Sequence, residues 1–189
     1  PDGKDRLQNG NYILTVGQHF VIILGDRGSE TAMVSMSSST IDIKFGTSGY
    51  RGIIGENFTV AEVRLIAQAV GIYLLDNRLN DQRPKVTIGY DPRQGNSPEL
   101  VDGSFTQVIV DALIGLGIDV YFFDRYIPTP VISWTITDQA LDGGLILTAS
   151  HNPPEYNGLK FNPRNGAPAP TSVTTVIQDI AQELVSHSR

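Results

Sequence analysis

The sequence contains no cysteine and little histidine. Its 189 residues include only three histidines, at positions 19, 151 and 187. The lack of cysteine excludes disulfides and thiol catalysis, and three scattered histidines exclude a histidine-rich metal cage. Long apolar runs are also missing, because runs such as Phe20–Leu24 are far shorter than a bilayer requires.

Clusters of positive charge are absent as well. The formal net charge is −6, and no Lys/Arg stripe interrupts it, which argues against a nucleic-acid-binding surface. The first residues do not combine a charged segment with an apolar one, so no secretion signal is indicated. We therefore expect a cytoplasmic protein that binds neither nucleic acid nor membrane.

The first 35 residues differ in character from the rest of the chain. Two short apolar runs joined by Gly17-Gln18 predict a β-hairpin, and the small, polar stretch after them is typical of a linker. We predict two parts, residues 1–35 and residues 36–189. The first is either a segment added in front of a natural start at Met36 or an ordinary N-terminal extension. Self-association through the hairpin is one way to cover its apolar strands.

From Ile41 onward, strand-like and helix-like segments alternate, which is the pattern of an α/β domain. We predict a three-layer α/β/α sandwich with a mixed, mostly parallel sheet of four to five strands, preceded by the short β-hairpin. The predicted strands are 41–46, 85–91, 119–124, 143–150 and 157–163. The predicted helices start at caps Thr59, Ser97 and Thr129, with a last helix over 173–185.

Four loops at the predicted carboxyl ends of strands carry polar residues, and such loops line the ligand crevice of open α/β sheets. They hold Arg51, Arg93, the turn 126–130, and Ser150 with His151. Together they suit a phosphate group, although each element alone is more often a tight turn, a surface residue or a structural residue than a ligand contact. The P-loop and the Gly-x-Ser-x-Gly elbow are absent, and adjacent Ser150 and His151 do not form a Ser-His-Asp triad.

Four motifs occur in a distinctive order: "KFGTSGYRG", "GYDPRQGNS", "PTP" and "LTASHNPPEYNGLKF". In this order and spacing they resemble the first domain of the α-D-phosphohexomutases, the phosphoglucomutase and phosphomannomutase superfamily. The resemblance runs from about Ile41 to the end of the chain. It implies an enzyme that interconverts hexose 1-phosphate and hexose 6-phosphate through a phosphoserine and a hexose 1,6-bisphosphate intermediate.

The resemblance also implies roles for single residues. Ser150 matches the serine that carries the phosphoryl group, and its phosphate would be one ligand of the Mg²⁺ used by the complete enzyme. The other implied catalytic residues are His151, Lys160 and Arg51, and the implied substrate- or phosphate-binding residues are Asn152, Arg93 and Gly49. A phosphoserine carries about −1.5 to −2 charges at neutral pH, which Arg51, Lys160 and the protonatable His151 would each offset.

One feature of the family is missing from the sequence. Family members carry a metal-binding loop of closely spaced aspartates in a later domain, and no such run occurs here. The resemblance therefore implies a first-domain fragment that is inactive by itself and needs the remaining domains as partners. The first motif favours phosphoglucomutase or the dual glucose/mannose enzymes. From a different class, a non-catalytic α/β module that binds phosphate or a protein through the same loops stays open.

Overall fold

The computed structural model describes residues 4–6, 12–16, 20–24, 41–46 and 49–187. Within these ranges the chain forms eight strands and four helices. The strands are β1 (Lys4–Arg6), β2 (Tyr12–Val16), β3 (Phe20–Leu24), β4 (Tyr50–Ile53), β5 (Lys85–Tyr90), β6 (Asp119–Phe123), β7 (Gly143–Leu147) and β8 (Tyr156–Pro163). The helices are α1 (Val60–Asp76), α2 (Phe105–Gly115), α3 (Thr129–Asp138) and α4 (Thr171–His187).

The strands form one mixed sheet in the order β1-β2-β3-β6-β5-β7-β8-β4. Strand β5 pairs in parallel with β6 and β7, whereas β8 pairs antiparallel with both β7 and β4. The α/β class, the mixed sheet and the hairpin strands are confirmed. The expectation of a mostly parallel sheet is wrong, because β8 returns directly from β7 without a crossover helix, and such a connection gives antiparallel strands.

The helices cover both faces of the sheet, which confirms the three layers. Alternate residues of β5 point to opposite faces, and Val86 and Ile88 join the larger core, which contains residues of α1, α2 and α4. On the other face, α3 contributes Ile132 and Ile136 to a smaller core. A Cβ atom on Gly89 would lie 2.2 Å from Ile132 Cδ1, so this glycine allows α3 to lie close to the sheet.

Helix α1 begins as its sequence signature predicts. The Thr59 side chain accepts a hydrogen bond from the amide of Ala61 at 3.2 Å, and Glu62 Oε2 accepts one from the amide of Thr59 at 3.0 Å. This reciprocal pair is a capping box. The helix ends at Asp76.

Two predicted element boundaries are wrong. Residues 41–45 form no strand, because their backbone groups bond to side chains of α4: Gln178 accepts from the amide of Phe45 at 2.8 Å, and Gln182 donates to the carbonyl of Ile43 at 2.9 Å. The first strand of the domain is β4 instead. Helix α2 begins at Phe105 and not after Ser97.

The start of α2 follows from a competing cap. The Ser104 side chain accepts from the amide of Gln107 at 3.2 Å, which satisfies the first turn of the helix. Ser97 is held elsewhere, because its carbonyl accepts from the Thr106 hydroxyl at 2.7 Å. Helix α3 begins one residue earlier than expected, with Pro128 as its N-cap and Thr129 as its first residue.

The hairpin strands extend the sheet of the domain. Strand β2 pairs antiparallel with β3, and β3 pairs antiparallel with β6. Ile23 of β3 is fully buried in the larger core. The turn at Gly17-Gln18 and the linker with Met36 lie outside the described residues, and the boundary between residues 35 and 36 stays a prediction.

The pairing of β3 with β6 predicts that residues 1–35 stabilise the domain. Losing the buried Ile23 side chain costs about 2–3 kcal/mol, which lowers the melting temperature by roughly 5–10 °C for a chain of this size. The measurement is thermal unfolding of the chain without residues 1–35. Deletion of residues 1–6 alone, which removes only edge strand β1, is the control and should change less. An unchanged melting temperature after the longer deletion would contradict the pairing.

Among the described residues, no helix combines the length and the apolar character needed to cross a lipid bilayer.

Candidate functional site

The serine loop, residues 148–155, connects β7 to β8. Strand β7 is buried along its whole length, and Thr148 and Ala149 are buried after it, whereas Ser150 is exposed. Two backbone turns shape the loop: the amide of Asn152 donates to the carbonyl of Ala149, and the amide of Tyr156 donates to that of Pro153, both at 3.1 Å. The sheet therefore delivers the Ser150 hydroxyl to solvent on a tightly folded loop.

Ser150 has a backbone conformation that is rare outside glycine. Its φ angle is 57°, in the left-handed region. A side-chain relay supports this conformation: the amide of Ser150 donates to Thr148 Oγ1 at 2.9 Å, and that hydroxyl donates to Asp91 Oδ2 at 2.6 Å. Such conformations persist where the surroundings fix them, and they cluster at functional sites.

Arg93 joins the loop after β5 to the serine loop. Its guanidinium donates to the carbonyls of Ser150, Asn152, Pro153 and Tyr156 at distances between 2.7 and 2.9 Å. Its Nε also donates to Asp91 Oδ2 at 3.3 Å. The structure thus places Arg93 against the backbone of the serine loop.

Arg51 lies on β4, two strands from β7. Its Nη1 donates to Asn152 Oδ1 at 2.7 Å, so it contacts the serine loop from the side of β8. In the β4–β8 ladder Arg51 lies opposite Gly158. A Cβ atom on Gly158 would lie 2.6 Å from the carbonyl oxygen of Thr148 and 3.0 Å from Arg51 Cγ, so only glycine allows this approach.

Lys160 is half-buried on β8, opposite Ile146 of β7. Burial lowers the pKa of its ammonium group, and the neighbouring positive charge of Arg51 lowers it further, while Asp91 acts in the opposite direction. Gly49, with φ 99°, packs on its backbone: a Cβ atom there would lie 2.9 Å from Lys160 Cα. The Gly49 amide points to the carbonyl of Gly46 at 3.4 Å.

The site has unbalanced positive charge. In the part of the chain that the structure describes, neither Arg51 nor Lys160 forms an ion pair. Asp91, the carboxylate that affects the pKa of Lys160, already accepts from Thr148 and Arg93. Arg51, which contacts the serine loop, and the neighbouring Lys160 therefore offer positive charge to an anion at this side of the loop.

The comparisons with known proteins agree with this geometry. The family model described as "Phosphoglucomutase/phosphomannomutase, alpha/beta/alpha domain I" matches residues 42–187. The chain belongs to the phosphoglucomutase/phosphomannomutase family. The resemblance drawn from the four motifs is thereby confirmed.

Relatives in this family carry several names. A phosphoglucosamine mutase of Alkaliphilus oremlandii is 36% identical over 134 residues, which cover 71% of this chain and 28% of that protein. A phosphoglucomutase/phosphomannomutase of Thermococcus kodakarensis is 40% identical over 124 residues, or 65% of this chain and 25% of that protein. A phosphoglucomutase of Staphylococcus epidermidis is 35% identical over 145 residues, or 74% and 24%. The chain thus spans about a quarter of the curated relatives it matches.

Solved structures of the family share the fold. A protein from Thermus thermophilus superposes with a TM-score of 0.66 at 34% identity, covering 74% of this chain and 30% of that one. Parafusin, a phosphoglucomutase from Paramecium, superposes with a TM-score of 0.62 at 25% identity, covering 80% and 27%. The family likeness therefore extends to the three-dimensional arrangement of the domain.

The structure brings most of the predicted site residues together. Asn152 belongs to the serine loop, and both Arg51 and Arg93 donate hydrogen bonds to it. Lys160 is close enough to Arg51 for the charge of Arg51 to lower the pKa of Lys160. His151 is exposed, and its ring has no hydrogen bond or ion pair with another described residue. Thr47 and Ser48 of the first motif lie outside the described residues.

Sequence reasoning missed Thr148 and Gly158. Thr148 stands two residues before Ser150, and a threonine hydroxyl commonly bonds a backbone amide two residues on, which is the signal that was available. Gly158 carried no comparable signal, because its role depends on the approach of Thr148 from the serine loop and of Arg51 from β4.

The described residues do not fit a divalent-cation site by themselves. They include no group of three or more His, Asp or Glu side chains that could hold a metal ion, whereas Mg²⁺ sites need several oxygen ligands. The oxygens of Asp91 are engaged by Thr148 and Arg93. No step of the chemistry below is assigned to a metal.

A cleft of about 500 Å³ lies away from the serine loop, at the opposite end of the central strands. It is lined by residues at the start of β5 and β7, among them Lys85 and Asp142. Because parallel strands present their ligand loops at the carboxyl ends, this cleft is separate from the site around Ser150.

Proposed function

We propose that this chain is the serine-bearing domain of a phosphohexomutase, which interconverts hexose 1-phosphate and hexose 6-phosphate. The observation that carries the proposal is the exposed Ser150 on a loop that Arg51 contacts through Asn152, with Lys160 close to Arg51 and neither cation in an ion pair among the described residues. Phosphoryl transfer depends on positioning and on charge stabilisation more than on an activated nucleophile. The site supplies both.

The proposed reaction starts from a phosphorylated Ser150. A hydroxyl of the bound hexose phosphate attacks the phosphorus, the bond from phosphorus to Ser150 Oγ breaks, and Oγ receives the proton that the sugar hydroxyl gives up. The product is a hexose 1,6-bisphosphate. After this intermediate turns around, the same exchange in reverse returns its other phosphoryl group to Ser150. Mg²⁺ belongs to the complete enzyme in this proposal.

The charge and position of each site residue determine its role in this proposal. Arg51 and Lys160 balance the negative charge of the phosphoryl group, and the lowered pKa of Lys160 brings its proton closer to exchange at neutral pH. Asn152, held by Arg51, contributes an amide donor at the same loop. His151, exposed next to Ser150, adds an imidazole to the same loop.

We propose glucose phosphates as the substrate, with mannose phosphates as the second choice. The first motif, "FGTSGYRG", supports this choice. The relatives include phosphoglucosamine mutases as well as phosphoglucomutases, so the sugar is a proposal about this chain alone. The sugar-reading part of the enzyme belongs to the remaining domains, since the chain spans about a quarter of its relatives.

The test is phosphoryl labelling of the complete enzyme. Incubation with glucose 1,6-bisphosphate should add one phosphoryl group, located at Ser150 by fragmentation mass spectrometry. The 189-residue chain alone should show no mutase turnover even with a phosphorylated Ser150, because it corresponds to only about a quarter of the relatives it matches. Absence of label in the complete enzyme would favour a non-catalytic module that binds phosphate or a protein through the same loops.

A further inference from the structure

Arg93 has no donor left for a ligand. A guanidinium carries five N–H donors, and the structure gives Arg93 five acceptors: four carbonyls of the segment 150–156 and the carboxylate of Asp91. Only 12% of the side chain is exposed. A phosphate on Ser150 would have to displace one of these bonds to reach Arg93, so the geometry does not support the phosphate-binding role expected from the sequence.

The four carbonyls converge on one cation. Arg93 Nη2 takes the carbonyls of Ser150 and Asn152, and Nη1 takes those of Pro153 and Tyr156. These peptide groups therefore direct their negative ends toward the guanidinium. Without Arg93, these carbonyls would lose their partners and the loop would rearrange.

The same contact supports the conformation of Ser150. The Ser150 amide is bonded to Thr148, and the Ser150 carbonyl is bonded to Arg93. Both peptide groups that flank its left-handed backbone are thus fixed, and Asp91 accepts from both Thr148 and Arg93. Asp91 therefore links Thr148 and Arg93, the two residues that hold the backbone of Ser150.

We propose that Arg93 is a positioning residue, which holds the serine loop so that Ser150 faces the incoming sugar and which does not touch the substrate. The proposal rests on the phosphoryl-carrier role proposed above for Ser150. Arg93 thus affects the rate of phosphoryl transfer indirectly, because it holds the backbone of the serine loop.

Arg93→Lys is the variant that tests this role. Lysine keeps the positive charge but offers three donors without the planar fork, so it cannot serve five acceptors at once. Hydrogen exchange of the 189-residue chain should show the amides of Asn152 and Tyr156 losing protection by about tenfold, since their turns depend on the clamped loop. The amide of Asp91, bonded to the carbonyl of Leu147 in the sheet, should keep its protection and serves as the internal reference for folding.

In the complete enzyme, Arg93→Lys should lower kcat by roughly 10²-fold, the cost of a misplaced reacting group, with KM nearly unchanged. Arg164→Lys is the matched control, because Arg164 donates two hydrogen bonds to Oδ1 of Asp142 at the opposite end of the central strands. It should leave both the protection of the serine loop and kcat unchanged.

Two outcomes would overturn the proposal. A raised KM with unchanged kcat and unchanged loop protection would show that Arg93 binds the substrate directly. Loss of loop protection with normal kcat would show that the clamp does not serve phosphoryl transfer. Failure of the carrier role itself would appear separately, as an unlabelled Ser150 in the unaltered enzyme.

Discussion

Replacement of Ser150 by alanine is expected to abolish the conversion of glucose 1-phosphate to glucose 6-phosphate by the complete enzyme. Alanine leaves no side-chain oxygen to carry the phosphoryl group between the two ends of the sugar. The loss should appear in kcat and should not be recovered by added glucose 1,6-bisphosphate. A coupled assay for glucose 6-phosphate measures it directly.

The alanine variant should retain the fold. The bonds that fix Ser150 involve its backbone amide and carbonyl, and alanine keeps both. Alanine and serine also bear a comparable cost at a φ of 57°. Ser186→Ala is the control, because Ser186 on α4 is exposed and its hydroxyl bonds only to groups of α4 itself, the carbonyl of Glu183 and the ring of His187. Normal turnover by Ser150→Ala would make the serine structural and favour the binding-module alternative.

The position of the serine loop was predictable because the signals for it are local. The apolar run 143–147 forms the buried strand β7, and the polar cluster follows where that strand ends. Strand β8 also follows from its own residues, which places Lys160 beside β7. The capping box of Thr59 and Glu62 fixed the start of α1 in the same way. Each of these predictions depends on residues that are neighbours in sequence.

The function of Arg93 was not predictable because its partners are distant in sequence. The carbonyls that it binds lie 57 to 63 residues further along the chain. Arg93 follows Asp91, and their ion pair is the interaction that sequence proximity indicates. The pairing of β5 with β7 brings the four carbonyls within reach of Arg93, and no local sequence pattern encodes that pairing.

The predicted strand 41–46 and the predicted start of α2 were also wrong, although both match a local sequence pattern. The alternating residues 41–46 match a strand pattern, yet side chains of α4, more than 130 positions away, take up part of their backbone bonding. Ser97-Pro98 is a valid helix start, yet Ser104 caps α2 instead. For residues 41–46 long-range contacts with α4 decide against a strand, whereas for α2 the choice falls between two local caps that the sequence alone leaves nearly equal.

Replacement of Lys160 by methionine is expected to lower turnover while it stabilises the unliganded domain. Methionine keeps the length of the side chain that packs on Gly49 but removes the charge. Loss of a preorganised charge beside the transferred phosphoryl group costs on the order of 10²-fold in kcat. Arg51→Ala should cost a similar factor, because it removes the second cation and releases Asn152.

The gain in stability follows from the sign of the pKa shift. The fold lowers the pKa of Lys160 below its ordinary value of 10.5, so the folded state disfavours the protonated form that the unfolded state accepts. This penalty is fully present below the folded-state pKa, and it disappears as the pH rises from that value toward 10.5, where the unfolded state also loses its proton. Urea unfolding should therefore show Lys160→Met to be more stable than the unaltered chain at pH 7, with a difference that narrows as the pH rises.

Lys85→Met, at the exposed start of β5, is the control and should show no such gain. A Lys160→Met chain that is less stable at pH 7 would contradict the charge argument, and one with normal turnover would remove Lys160 from the chemistry.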